Sequence, residues 1–282
     1  MALDAAEGIA SPRIIMKSML KKVLKRIIRH FEREQRSLRK IVRQLESRPA
    51  CQSGDIMVDG RKYYYTDALT FPTMYRDAFI DQANDFIHSG NHAPVILDCG
   101  SNIGLTVLRF KQLYPDARIL AFEPDPLIFE CLAKNIKEWG LLNVELHQAA
   151  IWIDNDGITF NADHATGGRI VDGMRELIEV PTIRLYDLLD APIDFLKLDI
   201  EGAEHRVLPD CGVRLGNISS FIIEWHFRAD EKQNLSAALL TVENAGFRYN
   251  IHHCWPVRVN RKWNYKDDQL VSIITIHGRQ RD

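Results

Sequence analysis

Two hydrophobic rhythms divide the chain. From Ile14 to Leu45 there is neither glycine nor proline, and Leu20, Leu24, Ile27, Phe31, Leu38, Ile41 and Leu45 recur in alternating four- and three-residue steps, with Glu34 as one polar interruption. This spacing predicts a single helix of about 35 residues, about 50 Å long at 1.5 Å per residue. Ser11-Pro12 marks its start; Pro49 followed by Gln52-Ser53-Gly54 ends it in a connector. Beyond the connector, short apolar β-rich runs alternate with helical patterns. Strands are predicted at 95–98, 118–122, 144–149, 195–199, 221–225, 247–251 and 271–276, and helices at 105–113 and 127–139. Strands that are nearly continuous apolar runs suit a twisted, mostly parallel α/β sheet covered on both faces, which takes its ligands at the carboxyl ends of the strands. Two parts follow: a helical arm with its connector over 1–54 and a globular body over 55–282, whose first segment, 55–93, precedes the core.

Composition sharpens this division. With 46% hydrophobic and 26% charged residues the chain is neither disordered nor fibrous. Residues 13–48 hold 13 Lys+Arg against 3 Asp+Glu, a local +10 in a chain of net charge −2, so the remainder carries −12. An acidic body argues against nucleic acid as a partner. The basic arm has three readings: a helix pair that makes a homo-oligomer, an amphipathic helix lying on an anionic membrane, or a helix packed on the acidic body. Ile15, Met16, Met19, Val23, Ile28 and Val42 widen its stripe beyond a strict two-stranded seam. Apolar runs such as Val271–Ile276 are too short to span a bilayer and no secretory leader is evident, so a cytoplasmic protein is expected, with peripheral membrane contact as one fate of the arm. Cys51, Cys99, Cys131, Cys211 and Cys254 are scattered, odd in number and lack a C-x-x-C pair, which predicts free thiols and neither disulfides nor a cysteine zinc site.

Candidate chemistry lies just after the strands. Leu97-Asp98-Cys99-Gly100-Ser101-Asn102-Ile103-Gly104 leads into a helix, with Gly100 and Gly104 allowing a tight turn and close approach to a ligand. A dinucleotide site wants G-x-G-x-x-G; Asn102 stands where its second glycine would be, which disfavours a nicotinamide dehydrogenase. Glu123, about 20 residues on in Phe122-Glu123-Pro124-Asp125-Pro126, can accept from both hydroxyls of a ribose. A solvated carboxylate capping the following helix is the alternative.

These motifs, together with Leu196-Lys197-Leu198-Asp199-Ile200-Glu201-Gly202-Ala203-Glu204, resemble the FkbM-type family of S-adenosylmethionine-dependent methyltransferases over about Val95 to His226. The resemblance implies a class I methyltransferase, Rossmann-like seven-stranded sheet with the last strand antiparallel, S-adenosylmethionine as methyl donor, and O-methylation of a sugar, glycan or glycosylated natural product. It implies further that Gly100, Ser101, Asn102 and Gly104 hold the amino-acid end of the donor, Asp98 its ammonium, Glu123 its ribose, and the small residues Ala149 and Ala150 after the third strand its adenine.

Asp199, Glu201 and Glu204 form the densest acid cluster at a strand end. Asp199 should face the crevice, and Glu201 and Glu204 share a face if a helix begins at Glu201. Methylating an alcohol requires removal of its proton, and two designs fit: His226 as general base, oriented by Glu224, or Mg²⁺ on Asp199, Glu201 and Glu224. Weaker signals are His252-His253-Cys254, short of metal ligands; Asp154-Asn155-Asp156-Gly157, read as a hairpin turn; His164–Arg169, a lid or a plain loop; and an aromatic sugar cap of Tyr63, Tyr65 and Tyr75 with Trp225 or Trp255. The competing class is a degenerate methyltransferase fold that acts as a scaffold through its N-terminal helix.

Overall fold

A computed structural model describes residues 32, 35–49, 52–90, 92–162, 176–228, 234–255 and 270–280. Residues 35–45 form helix α1. Its inner face is the tail of the predicted seam: Ile41 and Leu45 are each 1% exposed and pack with Ile56, Tyr63, Tyr65 and Phe71, whereas Val42 points outward. Ser37 Oγ donates to Asp59 Oδ2 at 2.6 Å and Arg48 Nη1 to Tyr65 Oη at 2.6 Å. This last stretch of the arm therefore docks on the body, on the antiparallel hairpin of β1 (Gly54–Val58) and β2 (Arg61–Tyr65). A helix longer than this is not supported, because residues 1–31 lie outside the described residues.

Helix α2 (Phe71–Phe79) follows, then β3 (Val95–Cys99), α3 (Leu105–Leu113), β4 (Arg118–Phe122), α4 (Pro126–Glu138) and β5 (Val144–His147). After an excursion the chain returns through α5 (Leu185–Leu188), β10 (Ile193–Leu198), α6 (Glu204–Cys211), β11 (Ile218–Arg228), α7 (Leu235–Asn244), β12 (Phe247–Trp255) and β13 (Leu270–Gln280). Seven strands form one sheet in the order β12-β13-β11-β10-β3-β4-β5, with β13 antiparallel to both neighbours and the other pairings parallel. This is the expected seven-stranded arrangement. The chain leaves β3 toward β4 and β5 and comes back on its other side at β10, so the strand order reverses between β3 and β10 and opens a crevice at their carboxyl ends.

Three local expectations are corrected. The third strand stops at His147 rather than 149, because Ala150 N turns away to Pro181 O and starts β6 (Ala150–Trp152), paired in parallel with β9 (Thr182–Arg184). The segment Asp154–Gly157 is not a hairpin turn: it joins β6 to β7 (Ile158–Ala162), which pairs with β8 (Glu176–Val180) in a different sheet. Asn155 fixes that corner, its Oδ1 accepting from Arg184 N and its Nδ2 donating to Asp187 Oδ2. The aromatic cap is a core: Tyr63, Tyr65 and Tyr75 are at most 8% exposed, Tyr63 packed edge-on and Tyr65 and Tyr75 tilted among Phe71, Phe79 and Trp139, and Trp225 is buried in another cluster. Tyr63 and Tyr75 also line a cavity of about 410 Å³ with Asp59, Arg61, Arg109 and Gln112, none of them at the carboxyl edge of the sheet. Residues 164–169 lie outside the described residues. Among the described residues no helix is long and apolar enough to cross a membrane, and Cys99, Cys131 and Cys211 are buried free thiols.

Candidate active site at the carboxyl edge of the sheet

The loop after β3 is held from both sides. Gly100 N and Ser101 N donate to Phe122 O, Ser101 Oγ donates to Asp98 O at 2.7 Å, and Asn102 N donates to Glu123 Oε2 at 3.0 Å. Gly100 has φ +84, and a Cβ there would sit 1.8 Å from Asp199 O. Its glycine is thus required by the neighbouring strand end, which it must touch, before any ligand is considered. Asn102 also adopts a left-handed φ of +48. On the far side, fully buried Asn135 donates to Ile103 O and Tyr64 O and accepts from Tyr64 N, clamping loop, α4 and hairpin together.

Glu123 ends β4 and does not cap α4. That duty falls to Asp125, whose Oδ1 accepts from Leu127 N and Ile128 N. Glu123 is 6% exposed, with Oε1 accepting from Asp125 N and Oε2 from Asn102 N, both at 3.0 Å. Each oxygen keeps a free lone pair, as a ribose diol requires. Burial pushes its carboxyl up to about 8 against the opposing pull of those two N–H donors. Ala149 is buried and Ala150 half-buried just beyond β5.

Asp98 is fully buried behind the loop rather than open to the crevice. Its Oδ2 accepts from Thr106 Oγ1 at 2.5 Å, and its Oδ1, with no hydrogen-bond partner among the described residues, lies 3.5 Å from Lys197 Nζ. Lys197 points into the same place from β10, donating to Gly100 O at 2.8 Å and Asp199 Oδ2 at 3.2 Å. Burial alone would lower its pKa, but the Asp199, Asp98 and Glu224 carboxylates outweigh it and hold the ammonium charged. Burial in turn raises the Asp98 carboxyl against Lys197 and Thr106.

Beyond Asp199 the backbone turns left-handed twice, at Glu201 (φ +55) and Gly202 (φ +105), and α6 starts only at Glu204. Glu201 and Glu204 therefore do not share a helical face. They meet at His226 instead: Glu204 Oε1 is 3.0 Å from Nδ1, while Glu201 Oε2 and Asp199 Oδ1 approach Nε2 at 3.5 and 3.8 Å. Glu204, 1% exposed, also accepts from Ile200 N. Burial would make the imidazole neutral, but the Glu204, Glu201 and Asp199 carboxylates win and raise its pKa well above the usual value. These carboxylates favour the imidazolium, the form that does not accept a proton, and so weigh against the general-base role expected for His226. Glu224 lies beside Asp199, level with it on the next strand; the Asp199 charge first, and burial second, raise its carboxyl to about 8. Donor atoms of Asp199, Glu224 and His226 all fall within 4.8 Å of one another. His226 thus takes the place expected for Glu201, whose side chain is 54% exposed at the rim. Lys197, Thr106 and Asn135 carried no sequence signal for this site beyond the presence of Lys197 in the third motif.

The description "Methyltransferase FkbM domain" matches residues 98–249. The methyltransferase sdnD of Sordaria araneosa is 37% identical over 191 residues, covering 54% of this chain and 73% of that protein. The 2-O-methyltransferase NoeI of Sinorhizobium fredii is 32% identical over 139 residues, covering 41% of this chain and 56% of that protein. A crystal structure of methyltransferase FkbM from Methylobacillus flagellatus aligns with a TM-score of 0.45 at 14% identity, over 74% of this chain and 54% of that one.

Proposed function

The chain belongs to the FkbM-domain methyltransferase family, and from that premise we propose that it methylates a hydroxyl of a sugar, glycan or glycosylated natural product with S-adenosylmethionine as donor. The observation that carries the reading is the placement of Glu123 and the Asp199–Glu224–His226 group at the carboxyl ends of β4, β10 and β11, on the two sides of β3 where the strand order reverses. A relative that bears the name 2-O-methyltransferase supports oxygen as the acceptor atom.

The residues fit such a donor. Glu123 keeps two oxygens for a ribose, the Gly100–Gly104 loop presents backbone to the amino-acid end, and the Asp98–Lys197 pair holds that loop against Asp199. Ala149 leaves room for a flat ring. Bound there, S-adenosylmethionine supplies an electrophilic methyl group on a sulfonium, which the carboxylates of Asp199 and Glu201 favour electrostatically. Glu224 is the base in its ionised form: with its carboxyl raised to about 8 that form prevails only above this pH, where it is a stronger proton acceptor than an ordinary carboxylate and takes the acceptor's hydroxyl proton as the oxygen gains the methyl. His226, fixed by Glu204, offsets the negative charge gathered between Asp199 and Glu224.

With His226 Nε2 deprotonated, the same donor set of two carboxylates and an imidazole also fits a divalent cation, Mg²⁺ included, held by Asp199, Glu224 and His226, with Glu201 at the rim. Such an ion would acidify the acceptor hydroxyl. Turnover on a panel of sugar hydroxyls, with Mg²⁺ and with EDTA, tests the proposal. Methyl transfer to oxygen supports it, dependence on the cation decides between the two designs, and transfer only to nitrogen or carbon acceptors overturns it.

A further inference from the structure

A second group of ligating side chains lies at the opposite, amino-terminal edge of the sheet, where the segment between α2 and β3 crosses beneath it. That segment is held by Phe86, stacked on Phe195 at 3.9 Å, and by Asp85, paired with Arg109. It then delivers His88 and His92 to Asp194, the second residue of β10.

The hydrogen bonds determine which imidazole nitrogens are available. His88 Nε2 is 2.9 Å from His92 O. A carbonyl only accepts, so Nε2 carries the hydrogen, and the remaining nitrogen, Nδ1, faces Asp194 Oδ1 at 3.5 Å. That contact calls for a positive charge, either a second proton on the ring or a cation held between the nitrogen and the carboxylate. His92 Nε2 comes to the same carboxylate, 3.1 Å from Oδ1 and 3.2 Å from Oδ2. Asp194 is itself oriented by Val95 N, which donates to Oδ2 at 2.8 Å. The two rings also close around Gly90: a Cβ there would be 2.6 Å from His88 Cε1 and 2.8 Å from His92 Cε1.

We propose that His88 Nδ1, His92 Nε2 and an Asp194 carboxylate oxygen bind a divalent transition metal of the zinc class, a site separate from the methyl-transfer edge. Donors at about 2.0–2.1 Å from a tetrahedral Zn²⁺ stand about 3.3–3.4 Å apart, and the observed 3.1 and 3.5 Å lie on either side of that spacing. Nitrogen donors select zinc over magnesium or calcium. The His88 Nε2–H bond to a backbone carbonyl and the Val95 bond to Asp194 are the outer contacts that such ligands use to fix tautomer and orientation. The fourth position faces solvent on the side of His92, whose side chain is 64% exposed, and takes water. The ion would staple the crossing segment to the start of β10.

The test uses the full chain, stripped with a chelator and titrated with Zn²⁺ against a chromophoric competitor, as wild type, His92→Ala, Asp194→Asn and Glu224→Gln. His92 is exposed enough for its replacement to leave the fold intact, and the amide oxygen introduced by Asp194→Asn can still accept from Val95 N. One equivalent should bind to wild type and Glu224→Gln. His92→Ala and Asp194→Asn should weaken it by more than the roughly 10–100-fold that loss of an outer contact costs. Zn²⁺ should raise the thermal midpoint, and Co²⁺ should give the visible bands of a tetrahedral site, in the same two proteins only. Absence of binding to wild type overturns the proposal, as does an ion that His92→Ala retains and Glu224→Gln loses.

Discussion

Replacing Glu123 with glutamine separates a ribose ligand from a merely structural carboxyl. The folded protein holds the Glu123 proton more tightly than the unfolded chain, its pKa being about 8 against an ordinary 4.5 because of burial. Since the folded pKa is raised, the stabilising contribution is complete below pH 4.5 and is lost as pH rises toward 8. The loss runs at about 1.4 kcal/mol per pH unit and totals about 5 kcal/mol. Glutamine resembles the protonated form, so the stability of Glu123→Gln relative to wild type should climb by that amount between pH 4.5 and pH 8.5, read from urea unfolding. Donor binding should move the other way. Two ribose hydroxyls donating to a carboxylate are worth about 1.5–3 kcal/mol each, and an amide keeps only one accepting oxygen, so the loss of one such bond predicts affinity lower by about 10- to 150-fold. With the carboxyl raised to about 8 the protonated form of Glu123 is favoured at pH 7, so donor binding should expel a proton, measurable by calorimetry in buffers of different ionisation enthalpy. A glutamine variant that binds S-adenosylmethionine as tightly as wild type, with no proton released by either, would refute the assignment.

Further outcomes follow from the same geometry. Glu204→Gln removes the nearest counter-charge of buried His226, so the imidazole pKa should fall, seen in its NMR titration, and the alkaline limb of the activity profile should shift with it. An unmoved titration would count against Glu204 as the positioning residue. Asp199→Asn should leave a folded protein without turnover, whereas near-normal rates would remove Asp199 from the chemistry. Leu45→Ala, at a site 1% exposed, should cost about 2–5 kcal/mol in urea unfolding if the end of the arm is part of the body; a cost near zero would mean that α1 is not docked in solution.

Much of the sheet was legible because its strands are long apolar runs separated by glycine, proline and acid-rich turns, and Gly100, Glu123 and Asp199 stand at strand ends, where a parallel sheet must put its ligand groups. The site's internal wiring was not. Lys197 lies in the third motif as one more alternating polar residue, and only its burial between Asp98 and Asp199 shows that it ties two loops together. Glu204 looked like a helical neighbour of Glu201; the two positive φ angles that part them are a tertiary outcome of the turn against His226. Asp125 took the capping role open to Glu123, a choice between adjacent carboxylates that depends on which one the strand buries. The tyrosines of β2 read as exposed sugar platforms because a period-two aromatic strand does not say which face is covered, and α1 and α2 cover it. His88 and His92, four apart, had a visible spacing, but their partner Asp194 is 102 residues from His92.

The most direct measurement is calorimetric titration of the purified protein with S-adenosylmethionine and, separately, NADH, each with Mg²⁺ and with EDTA. One S-adenosylmethionine per chain at micromolar affinity, and no heat from NADH, is the predicted result. A folded protein that takes up no S-adenosylmethionine, or that binds NADH in its place, would contradict the account and favour a scaffold in which the methyltransferase fold has lost its donor.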